Sequence, residues 1–197
     1  MSDQETLAVY ARKSQDYAEM IAPLAAKDAH LAAFIAAVPD GGAVLDLGCG
    51  PGHFAALMAQ AGCKVTACDL VPEMVALANA FDGVCAHQAG FDDLAGSDVY
   101  DGIWANFSLL HAPRPDMPRH LAQIHKALKP GGIFHIGVKT GTGAERDSLG
   151  RLYTYYTVEE LTCLLTAAGF TIDAQNTGID AGLSGEDAPW VCLRAHA

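Results

Sequence analysis

The sequence predicts an α/β domain in which a mostly parallel β-sheet carries helices on both faces. Helix-like and strand-like apolar patterns alternate along most of the 197 residues. Apolar residues make up 51% of the chain and charged residues 18%, which is a globular composition with enough apolar side chains for a buried core. No internal repeat or low-complexity tract divides the chain, so residues 1–197 are predicted to form one domain.

Helices are predicted before the sheet, as an N-terminal cap over residues 1–38. The apolar residues of the last cap helix recur at the spacing of one helical face, at Leu31, Phe34, Ile35 and Val38. The turn sequence PDGG at 39–42 ends this helix.

Seven strand-like segments follow, with helices between the first five. The predicted strands are Ala43–Leu47, Lys64–Cys68, Gly83–Gln88, Tyr100–Asn106, Ile133–Val138, Phe170–Thr177 and Trp190–Ala195. The helices among them cover about residues 54–61, 72–81, 117–128 and 157–168. Helical connections imply parallel strands, and ligands of such sheets bind at the carboxyl ends of the strands. The loop 178–189 is compatible with a crossover or a hairpin.

Charge and targeting features argue against several function classes. Twelve basic and 23 acidic residues give a net charge of −11 and a pI near 4.9, which disfavours nucleic acid as a partner. No apolar run approaches the roughly 20 residues that cross a bilayer, and the N-terminus lacks the pattern of a secretory signal. We therefore expect a cytoplasmic protein with no membrane partner.

The cysteines and histidines do not predict a metal site. The six cysteines stand at positions 49, 63, 68, 85, 163 and 192, without a CxxC pair, and are expected to be reduced and mostly buried. The eight histidines are scattered, and His120 and His125 are five residues apart, which does not place them on one helical face.

A glycine-rich loop, GCGPG at 48–52, follows the first predicted strand. Its glycines allow a tight turn and bring a ligand against bare backbone N–H groups, so the loop favours cofactor binding over an ordinary strand–turn–helix connection. The dinucleotide pattern GxGxxG would place its third glycine at His53, which we assign instead to the first turn of the next helix. Asp69 ends the second strand 21 residues after Gly48, the spacing of an acid that accepts from ribose hydroxyls. Its alternative role is to cap the helix at Pro72, and both roles are compatible.

These motifs resemble those of the class I S-adenosylmethionine-dependent methyltransferases. Residues 44–54 are similar to the family's first motif, hhDhGCGxG, and DLVPEM at 69–74 is similar to its D-x-S-x-x-M segment, with Val71 in place of serine. LKPGG at 128–132 matches the turn before the family's fifth strand. The resemblance spans about residues 40–175 and implies a Rossmann-like, doubly wound sheet of seven strands whose last strand is antiparallel.

The resemblance implies S-adenosylmethionine as cofactor and S-adenosylhomocysteine as product. It places Asp46 and the 48–50 backbone at the methionine end, Asp69 at the ribose, and Leu70 and Met74 near the adenine. The family's acid after the third strand is missing here, where the chain has Gly-Phe at 90–91, so Asp92, Asp93 or the N–H and ring of Phe91 is expected to replace it. The residues assigned to the cofactor are Tyr17, Asp46, Gly48, Cys49, Gly50, Asp69, Leu70, Met74, Phe91, Asp92 and Asn106.

Tyr17 is included because residues 10–17 resemble the family's mobile first helix, which folds over the cofactor. Tyr10 and Tyr17 are seven residues apart and share a helical face. The alternative is an amphipathic helix that only covers the sheet.

His111 is the candidate general base. It ends the segment 104–111 after the fourth strand, where the family places its active centre, and imidazole titrates near neutral pH. The alternative is a structural histidine that caps the turn at 113–115. The chain lacks the [DN]-PP-[YF] signature of amino-methyltransferases, which leaves a small-molecule acceptor methylated on O, N, S or C.

Residues 139–156 interrupt the alternation and are predicted to form a lid-like insertion after the fifth strand. Arg151, Tyr153, Tyr155 and Tyr156 are assigned to the acceptor, because aromatic rings and a guanidinium suit a planar or anionic substrate. The alternative is a structured connector in which Arg146 and Arg151 pair with acidic residues. The stretch also resembles segments of bacterial members of the family. This resemblance supports membership of a bacterial subgroup but does not indicate a particular substrate.

The sequence therefore predicts an S-adenosylmethionine-dependent methyltransferase that acts on a small-molecule acceptor by in-line transfer. Two alternatives stay open. One is an S-adenosylmethionine-binding module without catalysis. The other is a nicotinamide-dependent oxidoreductase, which His53 and the LKPGG turn disfavour. No trio of carboxylates is apparent, so activity is expected to be insensitive to chelators.

Overall fold

The computed structural model of the chain describes residues 3–197, in which one large sheet lies between layers of helices. The helices are α1 (Gln4–Arg12), α2 (Ser14–Ala25), α3 (Ala29–Ala37), α4 (His53–Gln60), α5 (Pro72–Ala78), α6 (Met117–Ala127) and α7 (Val158–Ala167). The strands are β1 (Ala43–Leu47), β2 (Lys64–Asp69), β3 (Val84–Gln88), β4 (Tyr100–Asn106), β5 (Leu128–Lys139), β6 (Ala144–Arg146), β7 (Leu152–Thr154), β8 (Thr171–Ala181) and β9 (Asp187–His196).

The large sheet has seven strands in the order β3-β2-β1-β4-β5-β9-β8. The first five are parallel, and β9 runs antiparallel to both of its neighbours, β5 and β8. This confirms the predicted Rossmann-like, doubly wound sheet with an antiparallel last strand. Its strand order reverses between β1 and β4, where a crevice opens at the carboxyl ends of the strands.

Two apolar cores form on the two faces of this sheet. On one face, α6 and α7 bury a row of branched side chains, among them Leu121, Ile124, Leu161 and Leu165. On the other face, α3 and α4 contribute Phe34 and Met58 to a core that includes Trp104 of β4, and the Phe34 ring lies edge-on to the Trp104 ring. Full burial of each such side chain stabilises the fold by about 1.5–3 kcal/mol. The apolar residues whose spacing predicts these helices are therefore the ones that hold the helices against the sheet.

The end of the sheet differs from the prediction in detail. The loop 178–189, left open between a crossover and a hairpin, is a hairpin, because β8 extends to Ala181 and pairs with β9 from Asp187 onward. Strand β5 begins at Leu128, so the LKPGG segment lies within it. Helix α5 ends at Ala78 and not near Phe81, because the Asn79 side chain forms two hydrogen bonds with the backbone of β3.

The segment 139–156 contains a two-stranded antiparallel hairpin, β6–β7, which the sequence analysis treats only as an insertion. It leads into α7, where the hydroxyl oxygen of Thr157 accepts from the N–H of Glu160 at 3.1 Å. The Glu160 carboxylate pairs with Arg114.

No single helix among residues 3–197 is long and apolar enough to cross a membrane. Only α2 and α3 taken together have that length and composition, with a bend of 69° between them.

Candidate functional site

The glycine loop after β1 is a tight turn whose conformation requires glycine. Gly48 and Gly50 have φ of 78° and 52°, in the left-handed region. A Cβ on Gly48 would lie 2.4 Å from the Cβ of Ser108, and the Ser108 hydroxyl donates to the Leu47 carbonyl at 2.6 Å. Gly48 therefore allows the segment after β4 to pack directly onto the end of β1.

Asp69 joins this loop to the start of α5. Its carboxylate accepts from the N–H of Gly50 and from the N–H of Val71, both at 2.9 Å. Burial raises the pKa of Asp69, and these backbone donors oppose that effect. Asp69 therefore fixes the backbone just before α5, but it does not cap the helix, whose N-cap is Val71 without a side-chain hydrogen bond. The same carboxylate lines the crevice.

Asp46 and Trp104 carry buried polar groups that face the same side of the sheet, since they are register partners on β1 and β4. Asp46 is 3% exposed, and its Oδ2 has no hydrogen-bond partner among residues 3–197. The indole N–H of Trp104 is likewise buried and unpaired within the described chain. Burial, reinforced by the charge of Asp69, raises the pKa of Asp46 to about 8. Unpaired buried groups of this kind are the ones that a bound ligand satisfies.

These groups line an open crevice at the carboxyl ends of β1, β2 and β4, here called the first cavity. It is also lined by most of the residues assigned to the cofactor from the sequence: Tyr17, Asp46, Gly48, Cys49, Gly50, Asp69, Leu70, Met74, Phe91 and Asn106.

Asp92 lies elsewhere. Its exposed carboxylate pairs with Arg119 on α6 and does not line the first cavity. Asp93 folds back to accept from the N–H of Gly90 at 2.8 Å. A Cβ on Gly90 would lie 3.2 Å from the Leu70 side chain, so the glycine leaves room for Leu70 at this wall.

Asn106 and Phe107 end β4 in a strained turn. Phe107 has a φ of 53°, which for a bulky residue costs of order 1–3 kcal/mol and is typical of functional sites. Gly137 on β5 makes the turn possible, because a Cβ there would lie 2.5 Å from the Asn106 amide oxygen. His135 holds that oxygen with its Nε2 at 3.1 Å.

His111 is fully engaged in hydrogen bonds. Its Nδ1 lies 2.8 Å from the Leu152 carbonyl, which can only accept, so Nδ1 carries the proton. Its Nε2 therefore accepts from the Tyr10 hydroxyl at 3.0 Å, and that hydroxyl accepts from Arg151 at 3.1 Å. Burial lowers the pKa of His111 to about 4, so the imidazole is neutral at neutral pH. The ring links to Tyr10 and β7, and not to the turn at 113–115 that the structural alternative assumed.

Arg151 is a buried residue whose charge is already paired. It is 2% exposed, and the Asp147 carboxylate accepts from its Nε at 2.9 Å and from its Nη2 at 2.6 Å. Helix α1 is tied to the same hairpin, because the Leu152 N–H donates to the Thr6 hydroxyl at 2.8 Å and Asp3 pairs with Arg146. Arg146 and Arg151 thus pair with acids, as the connector alternative predicts.

A second cavity, also open to solvent, lies between α2, α3, the hairpin β8–β9 and the ends of β5 and β7. Of the four residues assigned to the acceptor, Arg151 and Tyr153 line it. Tyr156 lies in the core with Arg114 over its ring, and Tyr155 packs against Gly141, so neither lines this cavity.

The two cavities meet at a shared wall, which consists of Tyr10, Tyr17, Ile21, Phe54, Asn106 and Phe107. The sequence analysis did not single out Phe54, Phe107, Lys139 or Trp190 as site residues, although all four line the second cavity. Lys139 is the last residue of β5. Because ligands of such sheets bind at the carboxyl ends of the strands, Lys139 could have been predicted as a site residue from the sequence. Trp190 lies on β9 as the register partner of Lys139, and no local signal in the sequence marks it.

Metal binding has no geometric support in the described part of the chain, since no three His, Cys, Asp or Glu side chains there come together as ligands.

Comparisons with known proteins agree with this geometry. The family described as Methyltransferase domain matches residues 17–175. Over 114 residues the chain is 34% identical to a ubiquinone biosynthesis O-methyltransferase of Xanthomonas axonopodis pv. citri, covering 54% of this chain and 46% of that protein. Over 93 residues it is 35% identical to a malonyl-[acyl-carrier protein] O-methyltransferase of Pectobacterium atrosepticum, covering 46% and 36%. The matched stretches thus span less than half of these two relatives.

Among solved structures, a Burkholderia thailandensis protein aligns over the whole chain. It is the 1,6-didemethyltoxoflavin-N1-methyltransferase, solved with 1,6-didemethyltoxoflavin and S-adenosylhomocysteine bound. The TM-score is 0.73 at 27% identity, and the alignment covers 100% of this chain and 90% of that one.

Proposed function

The chain belongs to the class I S-adenosylmethionine-dependent methyltransferases, and from this premise we propose that it transfers a methyl group from S-adenosylmethionine to a small molecule. One observation carries the proposal: the cavity built by the family's motifs shares a wall with a second cavity. A donor in the first cavity and an acceptor in the second would come into contact at that wall.

The residues of the first cavity fit this donor, which supplies a methyl group on a positively charged sulfur. The unpaired carboxylate oxygen of Asp46 suits an ammonium group, and Asp69 can accept from ribose hydroxyls. Leu70, Met74 and Phe91 provide an apolar lining for an adenine. We assign no role there to Asp92, since its carboxylate pairs with Arg119.

The second cavity fits a small acceptor with aromatic character. Its lining combines aromatic rings with a few charged groups, as small-molecule sites commonly do. The toxoflavin relative supports this choice, because the acceptor in its name is also a small molecule. The helices before residue 38 and the insertion 139–156 would close over the two ligands.

A cytoplasmic location of the protein stays a prediction.

His111 stays the candidate general base. Because its Nε2 accepts from Tyr10, a proton from the acceptor would reach it through the Tyr10 hydroxyl. The chain's main contribution is then to orient two ligands and exclude water at the shared wall.

The test is calorimetric titration of the purified protein with S-adenosylhomocysteine. We expect saturable binding by the wild type and at least a tenfold loss of affinity in Asp69→Ala. Asp82→Ala is the matched control, because Asp82 is exposed and lines neither cavity. A folded wild type that does not bind, or an Asp69→Ala variant that binds equally well, would overturn the proposal.

A further inference from the structure

We propose that the acceptor is a planar, weakly acidic ring compound that binds as its anion, with the negative charge paired to Lys139. The inference rests on the proposed function, because it concerns the cavity assigned there to the acceptor.

The shared wall offers no free base. The Tyr10 hydroxyl donates a hydrogen bond to His111 and accepts one from Arg151. It therefore already acts as donor and as acceptor within the protein. Tyr17 is a neutral phenol, since burial raises its pKa. Asn106 is an amide, and the remaining wall residues are Ile21, Phe54 and Phe107. A nucleophile at this wall therefore reaches a base only through the Tyr10 hydroxyl, and that base, His111, has its pKa lowered by burial to about 4. So weak a base favours an acceptor that arrives without its proton.

Lys139 supplies the charge that such an acceptor needs. Its ammonium lies 4.1 Å from the centre of the Tyr153 ring, and no carboxylate oxygen among residues 3–197 lies within 4.0 Å of it. Burial and the nearby Arg151 lower the pKa of Lys139, whereas Asp147 and Glu186 act in the opposite direction. A bound anion would provide the counterion that the chain does not place in contact with this ammonium.

The other charged groups of the second cavity are engaged. Arg151 forms its two-pronged pair with Asp147. Asp180 accepts from the indole N–H of Trp190 at 2.7 Å, and Asp28 accepts from two N–H groups at the start of α3. This assigns the anion to Lys139 and not to Arg151, the cation that the sequence analysis selected.

The acceptor's shape follows from the walls and from the placement of Lys139. Tyr10, Tyr17, Phe54, Phe107 and Trp190 present aromatic rings to the cavity, which suits a flat ring. Lys139 does not belong to the shared wall. The atom beside Lys139 and the atom that attacks must then be different atoms of one ligand, and a conjugated ring anion spreads its charge over both.

The transfer then needs no proton movement within the protein. The acceptor loses its proton to solvent on binding, and its negative atom forms a bond to the methyl carbon. The bond from that carbon to sulfur breaks, and its electron pair stays on sulfur. A neutral methylated acceptor and a neutral thioether result.

The experiment uses 7-hydroxycoumarin, a flat bicyclic phenol whose ionisation changes its absorption, with protein saturated by S-adenosylhomocysteine. We expect binding to the wild type to lower the pH midpoint of the probe by about one unit, which corresponds to tenfold tighter binding of the anion. Lys139→Met should abolish this shift, and Lys139→Arg should retain it. Lys126→Met is the matched control, because Lys126 lies exposed on α6 and lines neither cavity.

Several outcomes would overturn the inference. They are an unchanged or raised midpoint with the wild type, a shift that persists in Lys139→Met, and a probe that does not bind the saturated protein. A shift lost in His30→Gln but kept in Lys139→Met would assign the anion to the cavity's imidazole. Titration of each variant with S-adenosylhomocysteine checks its fold, and failure of the wild type in that titration would count against the proposed function instead.

Discussion

At the scale of the residue, Asp46 determines how ligand affinity depends on pH. Its carboxyl group has a pKa of about 8 in the ligand-free chain, so it holds a proton at pH 6 to 7. A ligand ammonium favours the carboxylate, and binding must therefore release that proton. Affinity for S-adenosylhomocysteine should rise with pH up to about 8, by at most about tenfold per unit.

Calorimetry between pH 6 and 8 measures this effect. Asp46→Asn is the matched variant, because it preserves the shape of the side chain and cannot titrate. We expect its affinity to be lower at pH 8 and nearly flat with pH. A wild-type affinity that does not change over this range would show that Asp46 keeps its protonation state on binding.

The position of residues that follow a strand end at a fixed spacing could be predicted from the sequence: Gly48 and Asp69 both line the first cavity, and their contact with a cofactor stays a prediction. Asp92 was misplaced because two adjacent acids carry no signal for which one turns inward, and its partner Arg119 is 27 residues away. Lys139 was missed as an acceptor residue because Arg151 lies in a more conspicuous aromatic stretch. Only the structure shows that Asp147 neutralises Arg151.

At the scale of the element, Gly52 controls the contact between α4 and α5. It precedes α4 with a φ of 85°, and a Cβ there would lie 2.6 Å from the Cα of Ala78. Gly131 has a similar φ of 76° with open space around it. Gly131→Ala should therefore cost only the backbone strain, about 1 kcal/mol. Gly52→Ala should cost about 1–3 kcal/mol more, because the backbone of α5 must move.

Urea unfolding of the two glycine variants tests this contact. Equal losses in the free energy of unfolding would mean that α5 yields to the new methyl group without cost.

The connection between β6 and β7 contains a buried ion pair. The side chains of Arg151 and Asp147 are only 2% and 5% exposed, so Asp147→Ala leaves a buried positive charge and should cost about 3–5 kcal/mol. Asp173→Ala is the matched control, since Asp173 forms a similar two-pronged pair with Arg194 in which the two side chains are 35% and 27% exposed. It should cost at most about 1 kcal/mol. Thermal or urea unfolding measures both, and similar losses would contradict the assigned burial.

The elements with strong apolar periodicity could be predicted, whereas β6–β7 could not. Its strands have three residues each, and every residue of β6 is exposed, so no alternation marks it. The hairpin is fixed by distant partners, namely Thr6 and Asp3 of the first helix region, and such contacts leave no pattern in the local sequence.

At the scale of the whole molecule, the two N-terminal helices form a cover that ligand binding should stabilise. Helix α1 is tied to the β6–β7 hairpin, and Tyr17 of α2 approaches the glycine loop at Gly50. We expect S-adenosylhomocysteine to slow amide hydrogen exchange in α1 and α2 by at least several-fold. Helix α6, which lines neither cavity, is the internal reference. Equal protection of α6 and the cover, or no protection of either, would contradict closure of the cover.

The lining of the first cavity comes from residues 3–111, whereas the second draws Lys139, Arg151, Tyr153 and the β8–β9 hairpin from the later part of the chain. On the proposed assignment, mutations after residue 138 would mainly change which acceptors fit. The exceptions are Arg151 and Leu152, which also hold Tyr10 and His111 of the first cavity. Outside those two positions and Asp147, this later part of the gene is where natural selection or a protein engineer could vary acceptor specificity without changing a residue that lines the donor cavity.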